Sequence, residues 1–360
     1  MKILIIVPSL KKSGGLERVV SIIANDLAIQ EHHKITIVSL NSSNSFYNIN
    51  DSVQVIGFDY LFKNKLLKLI PLFVWLLFKL NKQKPDKILS FGEGYNSFVI
   101  VACRFLNYKD IFVFNRASPL SSLDGVRGFL NPFFYKYTKN LIVQTKSAKN
   151  VISKKYYKSK IKVLPNPITL THKVIPMSKK ELKIINVGYI GGEKNQNLLI
   201  DFFSIIDPVV TKDWTLHFLG DGPNREVLEY KVEKLKLSNQ IFFDGRIKNI
   251  SKYYNSSSIF AFCSHSEGFP NALAEAMSYG CACISFDCIA GPSDLIDDGT
   301  NGFLIDVKNN KSYVDKLQNL ILDFSLREKF SENSLKKVKL FDRNKITKEL
   351  YNIISNETFN

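Results

Sequence analysis

The sequence predicts an α/β protein of two tandem domains, each a doubly wound parallel sheet with helices on both faces. Three observations carry this. Short apolar runs recur along the chain with helical patterns between several of them, which is the alternation of βα units. The runs are continuous in Val, Ile, Leu and Phe rather than alternating, as strands buried on both faces are. Finally, 360 residues of 45% hydrophobic content exceed what one core usually organises.

Residues 3–7 form the opening strand, followed by loop 8–15 and a helix over 16–29. Further strands are expected at 35–40, 53–56, 87–89, 111–114, 141–143 and 162–164. Pro165-Asn166-Pro167 and the polar, proline-containing stretch to Met177 read as a linker. That sets the domains at 1–167 and 168–343, with a last helix over 344–360 crossing back onto the first. After the linker the pattern restarts: strand 182–187, helix 197–206, and strand 216–219 entering Gly220-Asp221-Gly222-Pro223. Strands at 241–243, 259–262, 283–286 and 303–305 follow. Ligands bind beyond the carboxyl ends of the strands in such sheets, so a crevice between the two lobes is the expected site.

Charge is unevenly distributed. The formal net charge is +16, yet residues 1–180 carry 28 Lys+Arg against 9 Asp+Glu, while 181–360 carry 21 against 24. The excess therefore belongs to the first domain, where an anionic membrane, a phosphorylated substrate or nucleic acid would account for it. The basic residues are not interleaved with a nucleic-acid-binding motif, and no nucleic-acid partner is expected. Five cysteines without a CxxC pair, and no signal-peptide pattern after Met1, read as a reduced cytoplasmic protein with buried thiols. The most apolar stretch, 66–80, has a charge-free run of only ten residues, 69–78, and holds Pro71. A bilayer-spanning helix needs about 20. Lys63, Lys65 and Lys68 beside this stretch, with Trp75 within it, suit contact with an anionic membrane surface; a helix packed on the sheet would be equally apolar.

The motifs lie at strand ends. Gly14-Gly15 opens the first helix, where free N–H groups and the helix dipole suit a phosphate. Gly188-Tyr189-Ile190-Gly191-Gly192-Glu193-Lys194 leaves the first strand of the second domain, and Lys194 is placed to neutralise a diphosphate leaving group; a solvated surface lysine is the alternative. The most informative segment is His265-Ser266-Glu267-Gly268-Phe269-Pro270-Asn271-Ala272-Leu273-Ala274-Glu275. Pro270 starts and Gly280 stops a helix over about 270–279. Two carboxylates would repel a phosphate there unless they bind neutral hydroxyls, as a sugar nucleotide offers. Glu267 stabilising the helix dipole and Glu275 in a salt bridge is the plainer reading.

The Glu-x7-Glu spacing from Glu267 to Glu275 resembles the signature of glycosyltransferase family 4, whose retaining members have the GT-B fold of two Rossmann-like domains facing across a cleft. Gly14-Gly15-Leu16-Glu17-Arg18 resembles the family's first-lobe glycine loop, and Lys194 its diphosphate lysine. Cys288-Ile289-Ala290-Gly291-Pro292 with Asn301-Gly302-Phe303-Leu304 resembles members that build bacterial surface polysaccharide. The resemblance implies that Glu275 binds the nucleotide ribose and Glu267 the donor sugar hydroxyls. It also implies that Gly188 and the segment Gly268, Phe269, Pro270, Asn271, Ala272 and Leu273 hold the donor, with Gly15 reaching the diphosphate. Where the family has Gly-Arg this chain has Gly188-Tyr189, so either Arg246, Arg18 or Arg116 replaces that charge or the donor is held differently. Asn115 and Arg116 stand where many members carry a histidine near the reacting sugar. Glu267, Lys194, Asn115 and Arg116 are thus the candidate catalytic residues.

No Asp-x-Asp and no histidine ligand spacing occurs, so neither a metal nor another cofactor is expected. The expected activity is retaining transfer of a hexose or N-acetylhexosamine from a UDP-sugar to a lipid-linked saccharide. It belongs to O-antigen, other lipopolysaccharide or capsule synthesis, at the inner face of the cell membrane. A GT-B sugar-nucleotide epimerase, a glycan phosphorylase, a basic nucleic-acid-binding protein and a non-catalytic assembly protein are the alternatives.

Overall fold

A computed structural model describes residues 1–12, 14–30, 33–59, 68–116, 131–154, 160–289 and 291–355. The chain divides into two compact units, Met1–Pro167 with Arg343–Asn360, and Ile168–Asp342.

In the first unit β1 (Lys2–Val7) leads through a loop to α1 (Gly15–Gln30), then β2 (Lys34–Ser39) and β3 (Gln54–Gly57). Next come α2 (Leu69–Gln83), β4 (Lys87–Phe91), α3 (Asn96–Phe105) and β5 (Ile111–Asn115). β6 (Asn140–Val143), α4 (Lys146–Ile152) and β7 (Ile161–Val163) complete the sheet. Its order is β3-β2-β1-β4-β5-β6-β7, and every neighbouring pair is parallel. The order reverses between β1 and β4, which is the point where open α/β sheets gather their ligands. The inward stripe of α1, from Val19 and Val20 through Ile23 and Ala24 to Leu27, repeats every three to four residues and packs on Ile3, Ile5 and Ile35.

The second unit repeats the plan. β8 (Glu181–Val187), α5 (Gln196–Ile205), α6 (Pro208–Thr211) and β9 (Thr215–Leu219) are followed by α7 (Arg225–Lys234) and β10 (Ile241–Gly245). Then come α8 (Ile250–Ser256), β11 (Ser257–Phe262), α9 (Asn271–Ser278), β12 (Ala282–Phe286), α10 (Pro292–Leu295) and β13 (Gly302–Ile305). The sheet runs β10-β9-β8-β11-β12-β13, again all parallel, with the reversal between β8 and β11. Apolar clusters cover both of its faces, one around Phe202, Phe218 and Phe286, the other around Phe260, Leu273 and Met277. α9 stops at Gly280, whose φ of 68° is the left-handed conformation that ends helices. From Ile168 on, the stretch expected to be a linker is instead anchored in this unit. Ile168 N–H donates to Phe341 C=O at 2.8 Å, Met177 is buried in the core, and Asn255 bonds both Lys173 C=O and Ile175 N–H. Apolar Ile168, Leu170 and Met177 bind these residues to the unit despite the prolines.

α11 (Asn310–Leu322) and α12 (Phe324–Val338) close the second unit, and α13 (Arg343–Ser355) belongs to the first. Its Ile346, Leu350 and Ile354 join the α1 side of the first unit's core. Arg343 grips the buried Asp26 carboxylate of α1 with two N–H groups, and the Thr347 hydroxyl adds a bond at 3.2 Å.

Two outcomes follow. Arg343→Ala strips the cation from an aspartate whose side chain is 3% exposed, so urea unfolding should show a loss of about 2–3 kcal/mol, only partly recovered by Arg343→Lys. All five cysteines are free and buried. Burial pushes Cys103, Cys263 and Cys288 up to about 12 and Cys281 to about 11. Ellman's reagent at pH 8 should therefore react with none in the native protein and with five in guanidinium.

Candidate active site

The reversal point of the second sheet brings two loops side by side. β8 ends at Val187 and runs into Gly188, and a single 3₁₀ turn, Gly192–Lys194, presents Lys194. β11 ends at Phe262 and runs into the loop that carries Glu267 to the start of α9. Lys194 Nζ lies 2.5 Å from Glu267 Oε1, its side chain passes alongside Gly188, and the ammonium sits 5.2 Å from the Phe262 ring centroid. Two further bonds join the loops: His265 N–H donates to Glu193 C=O at 3.1 Å, and Asn195 Nδ2 is 2.9 Å from His265 Nε2. The Glu267 side chain is 9% exposed and that of Lys194 27%. A carboxylate so withdrawn from water requires a cation close by, and Lys194 supplies it.

Glycines make the approach of these loops feasible. A Cβ on Gly220 would collide with Gly188 C=O, and one on Gly222 with Ile190 C=O, so the turn after β9 nests directly on the turn after β8. Gly291 has φ 139° and leaves room for Pro270 and Glu267, against which any side chain there would press. These contacts explain Gly220-Asp221-Gly222 and Gly291-Pro292 without reference to a ligand.

Other expected donor residues are placed as follows. Glu275, in the second turn of α9, is 7% exposed, so its carboxylate is held within the unit. Gly268, Asn271 and Ala272 are half-buried at the entry to α9. Phe269 packs edge-on against Phe341 and Leu273 is fully buried. Their side chains belong to the core because the helix must bury an apolar stripe, and only their backbone is left for a ligand. Pro270 is buried and sits at the cap position rather than inside the helix. Arg246 is 3.9 Å from Asp221 of the glycine turn and largely exposed, and Tyr189 is exposed with its ring lying over Gly191.

In the first unit the reversal point joins the loops after β1 and β4. Gly14 and Gly15 begin α1, where Gly14 C=O accepts from Arg18 N–H at 3.2 Å and the Glu17 carboxylate folds back over Gly14. Burial pushes Glu17 up, against its own N–H and the charges of Lys12 and Arg116. Arg116 Nε stands 3.9 Å from Glu93 Oε1 at the end of β4. Asn115 is buried and donates to Tyr135 OH at 3.4 Å, and the same hydroxyl takes a bond from Asn96 at 3.1 Å. Its side chain is thus held in an internal network at the strand end. Glu93, which sequence reading missed, has a visible signal: it lies between two glycines directly after a strand.

The expected membrane residues divide. Lys63 and Lys65 lie outside the described residues. Lys68 bonds Asn41 Oδ1 and approaches the Phe58 ring, and Trp75 packs on that ring at 5.1 Å. Both therefore point toward the unit's own body, because they flank the buried stripe Leu72, Leu76 and Leu80. Among the described residues no helix is long and apolar enough to cross a membrane. No group of three His, Cys, Asp or Glu among them is placed to hold a metal ion.

Comparison with known proteins places this geometry. Residues 13–172 match the family model described as glycosyltransferase family 4, and residues 168–337 the one described as glycosyl transferases group 1. The amylovoran biosynthesis glycosyltransferase AmsD of Erwinia amylovora is 25% identical over 338 residues, covering 92% of this chain and 93% of its own. A Campylobacter jejuni α-1,4-N-acetyl-D-galactosaminyltransferase, named for a PP-undecaprenol-linked acceptor, is 26% identical over 368 residues, covering 99% and 98%. Among solved structures, the lipopolysaccharide outer core galactosyltransferase WaaB superposes with TM-score 0.78 at 20% identity, over 99% of this chain and 100% of its own. Anabaena HepE in complex with UDP and glucose gives 0.84 at 18% identity, over 99% and 100%. These likenesses give the fold as GT-B. The two family models match in tandem and together span nearly all of the chain: the chain belongs to the family 4 glycosyltransferases.

Proposed function

We propose that the enzyme transfers a hexose or N-acetylhexosamine from a UDP-sugar, with retention at the anomeric carbon, to a lipid-linked saccharide in bacterial surface polysaccharide synthesis. The observation that carries this is the Lys194–Glu267 pair at the β8/β11 reversal point. A lone carboxylate there would repel a diphosphate. With Lys194 against it the loop offers both a hydroxyl acceptor and a cation within one contact distance, which suits a group that is sugar at one end and phosphate at the other. Relatives named for undecaprenol-linked acceptors and a neighbour crystallised with UDP support the choice of acceptor and nucleotide.

In this reading Glu275 holds the ribose and Glu267 the donor sugar hydroxyls, while Lys194 turns from Glu267 toward the leaving diphosphate. Gly188 and the backbone of Gly268 to Leu273 shape the donor site, and Arg246 adds the charge that Tyr189 lacks. In the first unit Gly14, Gly15 and Arg116 serve the reaction from their strand ends, and buried Asn115 steadies the end of β5 beside Arg116. The acceptor oxygen attacks the anomeric carbon on the face that UDP leaves, and its proton passes to the departing phosphate oxygen. The protein contributes position and electrostatic stabilisation. Neither a metal nor another cofactor enters, and the enzyme works at the inner face of the membrane without crossing it.

The expected result is UDP release from a UDP-hexose or UDP-N-acetylhexosamine that depends on a lipid-linked acceptor, is unchanged by EDTA, and gives an α-linked product by NMR from an α-linked donor. Preference for GDP-sugars, loss of turnover in EDTA, or an inverted product would overturn the corresponding part. Lys194→Ala should lower kcat/KM roughly ten- to hundredfold, the range of a lost charged hydrogen bond of about 1.5–3 kcal/mol. The double variant Lys194→Met with Glu267→Gln removes the stranded charge, so it should recover thermal stability without recovering turnover; recovered turnover would sink the assignment. Glu275→Ala should weaken UDP binding by a similar factor, read by calorimetry.

A further inference from the structure

The first unit carries its own arrangement of carboxylate and cation at the reversal point of its sheet, between β1 and β4. Glu93 follows β4, Glu17 stands in the first turn of α1 after β1, and Arg116 follows β5, the next strand along. Both carboxylates are withdrawn from water, Glu17 at 9% exposure and Glu93 at 7%. Arg116 Nε is 3.9 Å from Glu93 Oε1, and the arginine side chain is 58% exposed. Burial pushes Glu17 up, and the charges of Lys12 and Arg116 act against that. The guanidinium thus serves two buried carboxylates while remaining largely in water.

The backbone beneath these groups is fixed. Gly92 has φ 102°, and a Cβ there would strike the Pro8 ring, so the turn after β4 is pressed against the loop after β1. Gly92 C=O accepts from Tyr95 N–H at 3.0 Å and from Asn96 N–H at 3.1 Å, which holds Glu93 between that carbonyl and α3. Asn96 then ties the two strand ends together. Its Nδ2 donates to Phe114 C=O at 3.0 Å, and its Oδ1 accepts from Ser90 Oγ at 2.8 Å. Asn115, one residue before Arg116, joins the same network through Tyr135 OH. A carboxylate and a guanidinium on such supports are preorganised for a ligand.

Their chemistry selects that ligand. A carboxylate accepts hydrogen bonds from vicinal hydroxyls, and a guanidinium donates to hydroxyl, ring or acetamido oxygens, so a neutral pyranose satisfies both. An anionic sugar does not. Its carboxylate would face Glu17 and Glu93 in surroundings poorly screened by water, and drawing Arg116 toward it would take a cation from a buried carboxylate. We propose that Glu93, set against Arg116, is the specificity-determining residue for the acceptor, and that the acceptor sugar it holds is uncharged. This rests on the proposed transfer to a saccharide and deepens it, since it names the class of sugar that is extended.

The test is saturation-transfer NMR on the full chain with UDP bound. The probes are the methyl α-glycosides of glucose, galactose, N-acetylglucosamine and N-acetylgalactosamine, with methyl α-glucuronide as the charged control. Wild type should bind at least one neutral glycoside and not the glucuronide. Glu93→Gln keeps the shape of the side chain without its charge and should weaken that binding roughly ten- to hundredfold, with Glu93→Asp falling between. Calorimetric UDP affinity should be the same in all three proteins, which a general loss of structure would not allow. With the best-bound glycoside as acceptor, Glu93→Gln should raise its KM and leave the donor KM in place. No neutral glycoside bound by wild type, glucuronide bound as well as the neutral sugars, glycoside binding unchanged by Glu93→Gln, or UDP affinity falling in step with it would each overturn the proposal. Glycoside binding that depends on Glu93 without UDP release from any donor leaves the assignment of Glu93 standing and removes the proposed transfer; UDP release with an acceptor KM indifferent to Glu93→Gln does the reverse.

Discussion

Parallel strand pairing governs what this protein can do with its sequence. When all strands of a sheet run the same way, each connection to the following helix leaves from the same edge, and the side chains available for chemistry gather there. Where the strand order reverses, two such connections diverge to opposite faces and leave room between them. In the second unit that gap is flanked by the loops after β8 and β11, and the Lys194–Glu267 ion pair spans it although its members are 73 residues apart. The glycines at 188, 220, 222 and 291 are subordinate to the same constraint. Loops leaving one edge crowd one another: a Cβ at 220, 222 or 291 would occupy space a neighbouring loop already fills, and Gly188 lies directly against the Lys194 side chain.

The strands were largely legible in the sequence because their signal is local: a strand covered on both faces is an apolar run, and each expected run is found within two residues of its predicted bounds. Lys194 and Glu267 were legible as individuals, each at a strand end beside glycine. Their contact was not, because it depends on β8 lying next to β11, which no local pattern encodes. Asn115 shows the converse. Its position after β5 suggests an accessible group, but Tyr135 and Asn96 fold it into an internal network. Lys68 and Trp75 were misread for a related reason. A sequence shows that a helix is apolar and basic, whereas the angle of each side chain about its axis decides whether it meets the protein or the solvent.

Charge is arranged differently in the two halves of the sequence. The second half of the sequence holds 21 Lys+Arg against 24 Asp+Glu, so positive potential at its strand ends comes from the placement of single cations such as Lys194 and Arg246 rather than from net charge. The first half carries its excess broadly. Short-range placement serves recognition of a single ligand, while diffuse charge acts over a Debye length and serves a broad surface.

The return of α13 to the first unit has a consequence for the order in which the protein is made. Residues 1–167 leave the ribosome first, yet the α1 side of their core includes Ile346, Leu350 and Ile354, and the Asp26 carboxylate waits for Arg343. The second unit, continuous from Ile168 to Asp342, has its entire core translated before those residues emerge. The first unit is therefore completed only after the core of the second has been translated, and until residues 343–355 emerge the side of α1 that packs on them lacks its apolar cover.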